Sequence, residues 1–296
     1  MGNRTWKGKT GGGWFGQNFL LMFLSKVRVV WLYPVLYLVI PFYLIFARKG
    51  YRAIYSYFRE RHHYSKWRSF VATCRNHLLF GKIVLDKFAI LAGNTSQFEV
   101  RMQGEDIVDE LLNGESGFII ASAHFGNLEM AGLSIHQDKK RMNGIIFGGE
   151  RGGFQSRRDS AFGKMNINLI PVTEDMSHLF TIKNALEEGE VVTIPCDRFL
   201  GGNKKVSLPF LDGEADFPAG TFRLAAQLNV PVASLFIVKI SHSKYYGYSK
   251  LLHPSPTATN STEQAAFLAK QFVEELESMV RRFPLQWFNY YQYWNS

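Results

Sequence analysis

The stretch that most limits what this chain can fold into runs from Gly117 to Glu129, Gly-Phe-Ile-Ile-Ala-Ser-Ala-His-Phe-Gly-Asn-Leu-Glu. Its short, unbroken apolar run suits a strand buried on both faces, as in a parallel sheet covered by helices. After it, Leu128, Ala131, Leu133 and Ile135 are spaced for a helix. His124 therefore stands where a strand ends and a helix begins, which in open α/β sheets is where ligands bind.

Further segments repeat the alternation. Strands are expected near 117–122, 143–148, 166–171, 190–195, 231–240 and 244–252. Helices are expected near 104–113, 126–137, 157–164, 176–188, 219–229 and 261–282. The pattern predicts an α/β fold, a mixed, mostly parallel sheet flanked by helices. At 296 residues the chain can build one large core.

The N-terminal third differs. Val29–Ala47 holds 19 uncharged residues, with Lys26 and Arg28 before it and Arg48, Lys49 and Arg52 after it. Its length fits a spanning helix of about 20 residues. Its basic flanks and aromatic content fit a segment lying in the interface equally well. Pro34 and Pro41 are expected to kink it. Residues 48–92 read as helix with basic and aromatic residues interleaved. Residues 1–87 carry 15 Lys and Arg against 2 Asp and Glu, whereas the rest carries 19 against 23. Beside a 19-residue apolar run, such a basic face points to anionic lipid headgroups rather than nucleic acid. The expected organisation is a membrane anchor over 1–50, a basic amphipathic helical region over 51–97 and an α/β domain over 98–296. Gly11, Gly13 and Gly16 match a dinucleotide fingerprint in form alone, since no strand precedes them.

Spacing alone does not make His124 a site. With 8 His and 25 acidic residues, a His-x4-Asp/Glu match arises about 0.7 times by chance. Placement after a buried strand is the stronger signal. The chemistry that suits His124 and Glu129 is acyl transfer to a hydroxyl or amine. The attacking heteroatom must lose a proton, which a neutral imidazole takes, and a carboxylate on the other ring nitrogen orients it. Cys196 leaves open a thiol hydrolase with His124. A non-catalytic basic membrane-binding protein is the remaining alternative. No His/Cys cluster has metal-ligand spacing. Two cysteines, Cys74 and Cys196, are too few for a disulfide framework.

His124 to Glu129 resembles the signature of the lysophospholipid acyltransferase superfamily, in the manner of its bacterial branch near the late lipid A acyltransferases. Later pieces follow in the same order: Pro195-Cys196-Asp197-Arg198, Phe217-Pro218-Ala219-Gly220-Thr221, Pro231-Val232, and the tail from Pro284 to Trp294. The resemblance implies an acyltransferase that needs no cofactor. It would take acyl carrier protein or CoA thioester as co-substrate and a membrane lipid as acceptor, at the cytoplasmic face of a bacterial inner membrane. It places Arg151 at the family's second-block arginine, with Arg157 competing for that role, to grip an anionic group. Asp197 and Arg198 would position the acceptor and assist the oxyanion or a pantetheine phosphate. Gly126 would offer backbone N–H groups to the oxyanion, and Gly220 and Thr221 would offer theirs to an anion.

Two departures qualify it. Ala219 replaces the glutamate of Phe-Pro-Glu-Gly-Thr, which makes lysophosphatidic acid a poor fit as acceptor. The tail carries neutral Asn289, Tyr290, Tyr291 and Gln292 where lipid A enzymes tend to be basic. That tail resembles predicted acyltransferases of aryl-polyene and related lipid pathways.

Overall fold

The computed structural model describes residues 20–133, 135, 139–147, 166–173, 175, 177–199 and 205–294. The chain enters through a 3-10 turn, Val29–Leu32, and helix α1, Tyr33–Phe46; Pro34 takes its first turn, where no N–H is lost. Helix α2, Arg48–Ser56, passes into a π-helical turn, Tyr57–Arg61. The chain breaks at residues 62–65, with His63 at φ +52°. Ser65 then caps helix α3, Lys66–Leu91, by accepting from the Arg68 N–H. The single helix expected over 48–92 is thus interrupted.

The body follows as β1 (Glu99–Gln103), α4 (Glu105–Asn113), β2 (Phe118–Ser122), a 3-10 turn (Leu128–Leu133), β3 (Met142–Phe147), β4 (Ile167–Val172), α5 (His178–Glu187), β5 (Val191–Pro195), β6 (Lys205–Pro209), β7 (Glu214–Pro218), α6 (Gly220–Leu228), β8 (Val232–Lys239), β9 (Lys244–Leu252) and α7 (Ser261–Arg282). Seven strands form one sheet in the order β1-β9-β8-β2-β5-β3-β4, and β6 and β7 pair as a separate antiparallel hairpin. β8 and β9 are antiparallel and β1 runs with β9; every other neighbouring pair is parallel. The mixed, mostly parallel sheet expected from the sequence is therefore present.

β2 lies at the centre, and all five of its residues are buried. Its alternation divides the core. Ile119 and Ala121 pack in a cluster with Phe272 and Leu276 of α7, while Phe118 and Ile120 join Val108 and Leu112 of α4 and Ile90 of α3. A sheet covered on both faces needs apolar residues at every position, and this run supplies them.

α3 joins the N-terminal segment to the body. On one side Leu36 and Tyr33 of α1 cluster with Ala89, and a Cβ at Gly81 would stand 3.1 Å from Leu36. Below that contact lies a buried polar knot. Asp86 of α3 accepts from the Tyr33 hydroxyl at 2.5 Å, and from Lys239 and Tyr245. Lys239 and Asp86 are both buried, so each charge has its counter-charge at hand. Among the described residues, 29–46 form the one stretch long and apolar enough to cross a membrane; only 17% of it is buried. Trp31, Leu38 and Phe46 are almost fully exposed.

Candidate active site

The register of β2 against β5 assembles the site. Ser122 pairs with Pro195, and the Cys196 N–H continues the ladder by donating to the Ser122 carbonyl at 2.7 Å. The strands are parallel, so the residues two steps beyond each, His124 and Asp197, emerge together at the carboxyl edge of the sheet. His124 Nδ1 lies 2.8 Å from Asp197 Oδ1, and the His124 backbone N–H donates to Asp197 Oδ2 at 3.0 Å. The Trp287 indole N–H donates to the same oxygen at 3.2 Å.

Asp197 is 1% exposed, so its charge depends on these partners. Burial alone would raise its carboxyl; the His124 imidazole and its hydrogen bonds outweigh that and hold it below the usual carboxylate range. The carboxylate fixes the ring with Nδ1–H towards Asp197. Nε2 is then the nitrogen left to take a proton.

The C-terminal tail closes this edge. Gly126 N–H donates to the Gln286 carbonyl and Phe288 N–H to the His124 carbonyl, at 2.8 and 2.9 Å. Asn76 of α3 holds the tail by donating to the Leu285 and Trp287 carbonyls. Gly126 has φ +62°, and a Cβ there would stand 1.8 Å from the Ile237 carbonyl oxygen. Only glycine fits.

A cavity of about 490 Å³ opens beside His124. Phe80, Ile83 and Val84 of α3, Met142, Ile145 and Ile146 of β3, and Ile167 and Leu169 of β4 make its walls apolar; among the described residues, His124, Glu129, Lys87, Arg198 and Tyr290 supply the charged and titratable groups. The volume lies within the range of small-molecule sites.

The expected residues divide. His124, Glu129, Gly126 and Arg198 line the cavity. The Asp197 carboxylate sits behind His124 rather than in the cavity wall. The expected His124–Glu129 contact is replaced: the nitrogen meant for Glu129 is occupied by Asp197, and Glu129 forms an ion pair with Lys87. Burial alone would raise the Glu129 carboxyl, and Lys87 outweighs it and holds it low. The short 3-10 turn after His124, in place of the expected helix over 126–137, carries Glu129 to the α3 side.

Gly126 is corrected too. Its N–H goes to Gln286 and that of Asn127 to Ile237, so neither remains for an oxyanion. Gly220 and Thr221 start α6 and do not line the cavity. Arg151 and Arg157, with the helix expected over 157–164, lie outside the described residues.

Arg198 donates from Nη2 to the Phe288 carbonyl at 2.5 Å, and its guanidinium lies over the Tyr291 ring. Its Nε is buried without a hydrogen-bond partner. Cys196 is wholly buried, donates to the Ile194 carbonyl at 3.3 Å, and has its thiol pushed up to about 12 by burial. A thiol so placed is a poor nucleophile, which removes the physical basis of the thiol hydrolase. Among the described residues no three His, Cys, Asp or Glu gather as metal ligands.

Lys87 and Trp287 were not singled out in the sequence as site residues. Lys87 carried a signal, standing seven residues after Phe80 on an apolar helical stripe.

A family model for bacterial lipid A biosynthesis acyltransferases matches residues 80–296. The chain belongs to that family. It is an acyltransferase of lipid biosynthesis, and the match begins inside α3, taking in the helix that roofs the cavity. Among solved structures the chain is similar to the crystal structure of the 1-acyl-sn-glycerophosphate (LPA) acyltransferase PlsC from Thermotoga maritima. The identity is 14% and the TM-score 0.38, over 92% of this chain and 99% of that one. The comparison with curated proteins gave no match.

Proposed function

We propose that this acyltransferase moves a fatty acyl group from a carrier thioester to a hydroxyl or amine of a membrane lipid, with His124 as general base. The carrying observation is the 2.8 Å contact of His124 Nδ1 with a buried Asp197, beside an apolar cavity of about 490 Å³. In this reading Nε2 takes the proton from the acceptor as its oxygen or nitrogen attacks the thioester carbonyl. The tetrahedral intermediate then expels the thiolate, which leaves as thiol with the proton from the imidazolium. The products are an ester or amide and a free thiol. Asp197 orients the ring and stabilises the imidazolium.

The apolar walls suit the acyl chain. Arg198, which lines the cavity, suits the oxyanion or an anionic part of the donor. Arg151 or Arg157, between β3 and β4 in the sequence, would serve the same purpose. Gly220 and Thr221 would take part only in a donor arrangement that reaches α6.

The donor is acyl carrier protein rather than CoA. These carriers are acidic, and 15 Lys and Arg against 2 acids in residues 1–87 favour such an encounter. Residues 1–50 anchor the protein to the cytoplasmic face of a bacterial inner membrane, 51–97 add a basic layer whose α3 also walls the cavity, and 98–296 form the α/β body that carries His124. The exposed apolar surface of α1 supports that anchoring. The acceptor lacks the phosphate of lysophosphatidic acid, in keeping with Ala219 and the neutral tail.

Lipid mass spectrometry of cells with and without the protein tests the reading. One acylated lipid should vanish and its acceptor, lighter by one acyl group, should accumulate. An unchanged lipid profile contradicts it.

A further inference from the structure

The site holds two carboxylates, and the base needs one. Asp197 occupies His124 Nδ1 from behind. Glu129 stands in the cavity wall, its side chain 26% exposed, and among the described residues the side chain that meets it is Lys87. Lys87 lies on the same stripe of α3 as Phe80, Ile83 and Val84, all facing the cavity, and its side chain is 40% exposed. The opposite side of α3 carries α1 through Gly81 and Ala89. Next in sequence, Asp86 is tied to Lys239, Tyr245 and Tyr33. Lys87 therefore projects from a helix that cannot easily shift, and it holds the Glu129 carboxylate where a substrate can reach it.

We propose that Lys87 is a positioning residue that presents Glu129 as the docking point for the hydroxyl or amine of the acceptor, which donates its O–H or N–H to the carboxylate. This rests on the acyl-transfer reading above. An ionised carboxylate accepts several hydrogen bonds, so one ammonium partner leaves acceptor capacity for a substrate O–H or N–H. The Glu129 carboxylate still acts with the imidazole through space, while its ion pair is with Lys87. Among the described residues, Asp197 and Arg198 from the end of β5, Glu129 from the 3-10 turn, Lys87 from α3 and Tyr290 from the tail are the charged and titratable groups around His124 and its cavity.

The test uses the full chain in detergent, radiolabelled palmitoyl-acyl carrier protein as donor, and membranes from cells lacking the protein as the source of acceptor. Lys87→Met should raise the apparent KM for acceptor membranes about 10-fold or more, the usual size of a lost charge-assisted contact, while the donor KM stays unchanged. Lys87→Arg should restore most of the loss. Glu129→Gln should show the same split, and Lys87→Met added to it should cost little more, because Lys87 acts through Glu129. Thermal melts should show each variant folded; should Lys87→Met fail to fold, Lys87→Arg with Glu129→Gln carries the same comparison. A kcat loss with unchanged acceptor KM in Glu129→Gln overturns the inference and returns Glu129 to the role of orienting the base. Full additivity of the two changes also overturns it. Absence of any transfer by the unaltered protein, with Lys87 and Glu129 intact, overturns the acyl-transfer reading itself and takes the inference with it.

Discussion

His124 and Asp197 are 73 residues apart in sequence, and the register of two parallel strands brings Nδ1 and Oδ1 to 2.8 Å. Asp197 is buried and also accepts from the His124 backbone and the Trp287 indole, so it cannot turn away. Replacing it by Asn should lower transfer about 100-fold or more through loss of the tautomer and of the imidazolium's counter-charge. Activity near that of the unaltered protein, with an unchanged melt, would remove Asp197 from the mechanism.

The same pair predicts a pH dependence of stability. Asp197 is held below its usual range in the folded state. Its contribution is therefore present above the unfolded carboxylate value of about 4 and is lost as pH falls through the lower folded value. The stability gap between the unaltered protein and Asp197→Ala, followed by denaturant melts, should be full at pH 6 and shrink below about pH 4. A gap constant into acid would show that the ionised pair does not stabilise the fold.

Gly126 makes a sharper structural prediction. With φ +62° and a Cβ position 1.8 Å from the Ile237 oxygen, Gly126→Ala must displace the loop after His124. It should cost about 2 kcal/mol or more and most of the activity. A melt within 1 °C of the unaltered protein, with normal turnover, would refute the close approach.

The knot under α1 predicts a stability effect away from the chemistry. Asp86→Ala leaves Lys239 buried without its counter-charge. The loss should be about 3–5 kcal/mol. Replacing Tyr33 by Phe should cost far less, since Lys239 and Tyr245 still serve Asp86. Chemical denaturation of the detergent-solubilised chain compares them, and equal small losses would contradict this ranking.

Donor choice is tested by salt. Neutralising Arg59 with Arg61, or Lys66 with Arg68, should slow use of acyl carrier protein more than use of acyl-CoA. Raised salt should mimic the substitutions, since screening shortens the reach of surface charge to about 8 Å at physiological strength. Equal rates from both donors without a salt effect would leave the basic region to the membrane.

Much of the fold was legible because its strands are continuous apolar runs. The six expected strands match β2, β3, β4, β5, β8 and β9 to within a residue or two at each end. β1, Glu-Val-Arg-Met-Gln, was missed because an edge strand needs apolar residues on one face alone. The β6–β7 hairpin was missed because its turn, Leu211-Asp212, has φ of +49° and +58° without a glycine at either position. Glu129 is paired with His124 in the sequence by a helical spacing and by the family signature, yet that spacing assumes a helix, and Asn127 is tied to the Ile237 carbonyl, so a 3-10 turn follows instead. Asp197 was recognised as lying on the same edge, but its contact with the ring needed the β2–β5 register. Lys87 comes from another element altogether, which no local pattern joins to Glu129.

The central claim is that His124 is the base of an acyl transfer. Its most direct test measures transfer of labelled palmitate from acyl carrier protein to membrane lipid by the full chain and by His124→Ala, in detergent, with thermal melts of both. Transfer by His124→Ala should fall about 100- to 10,000-fold with an unchanged melt. Normal turnover by folded His124→Ala would contradict it.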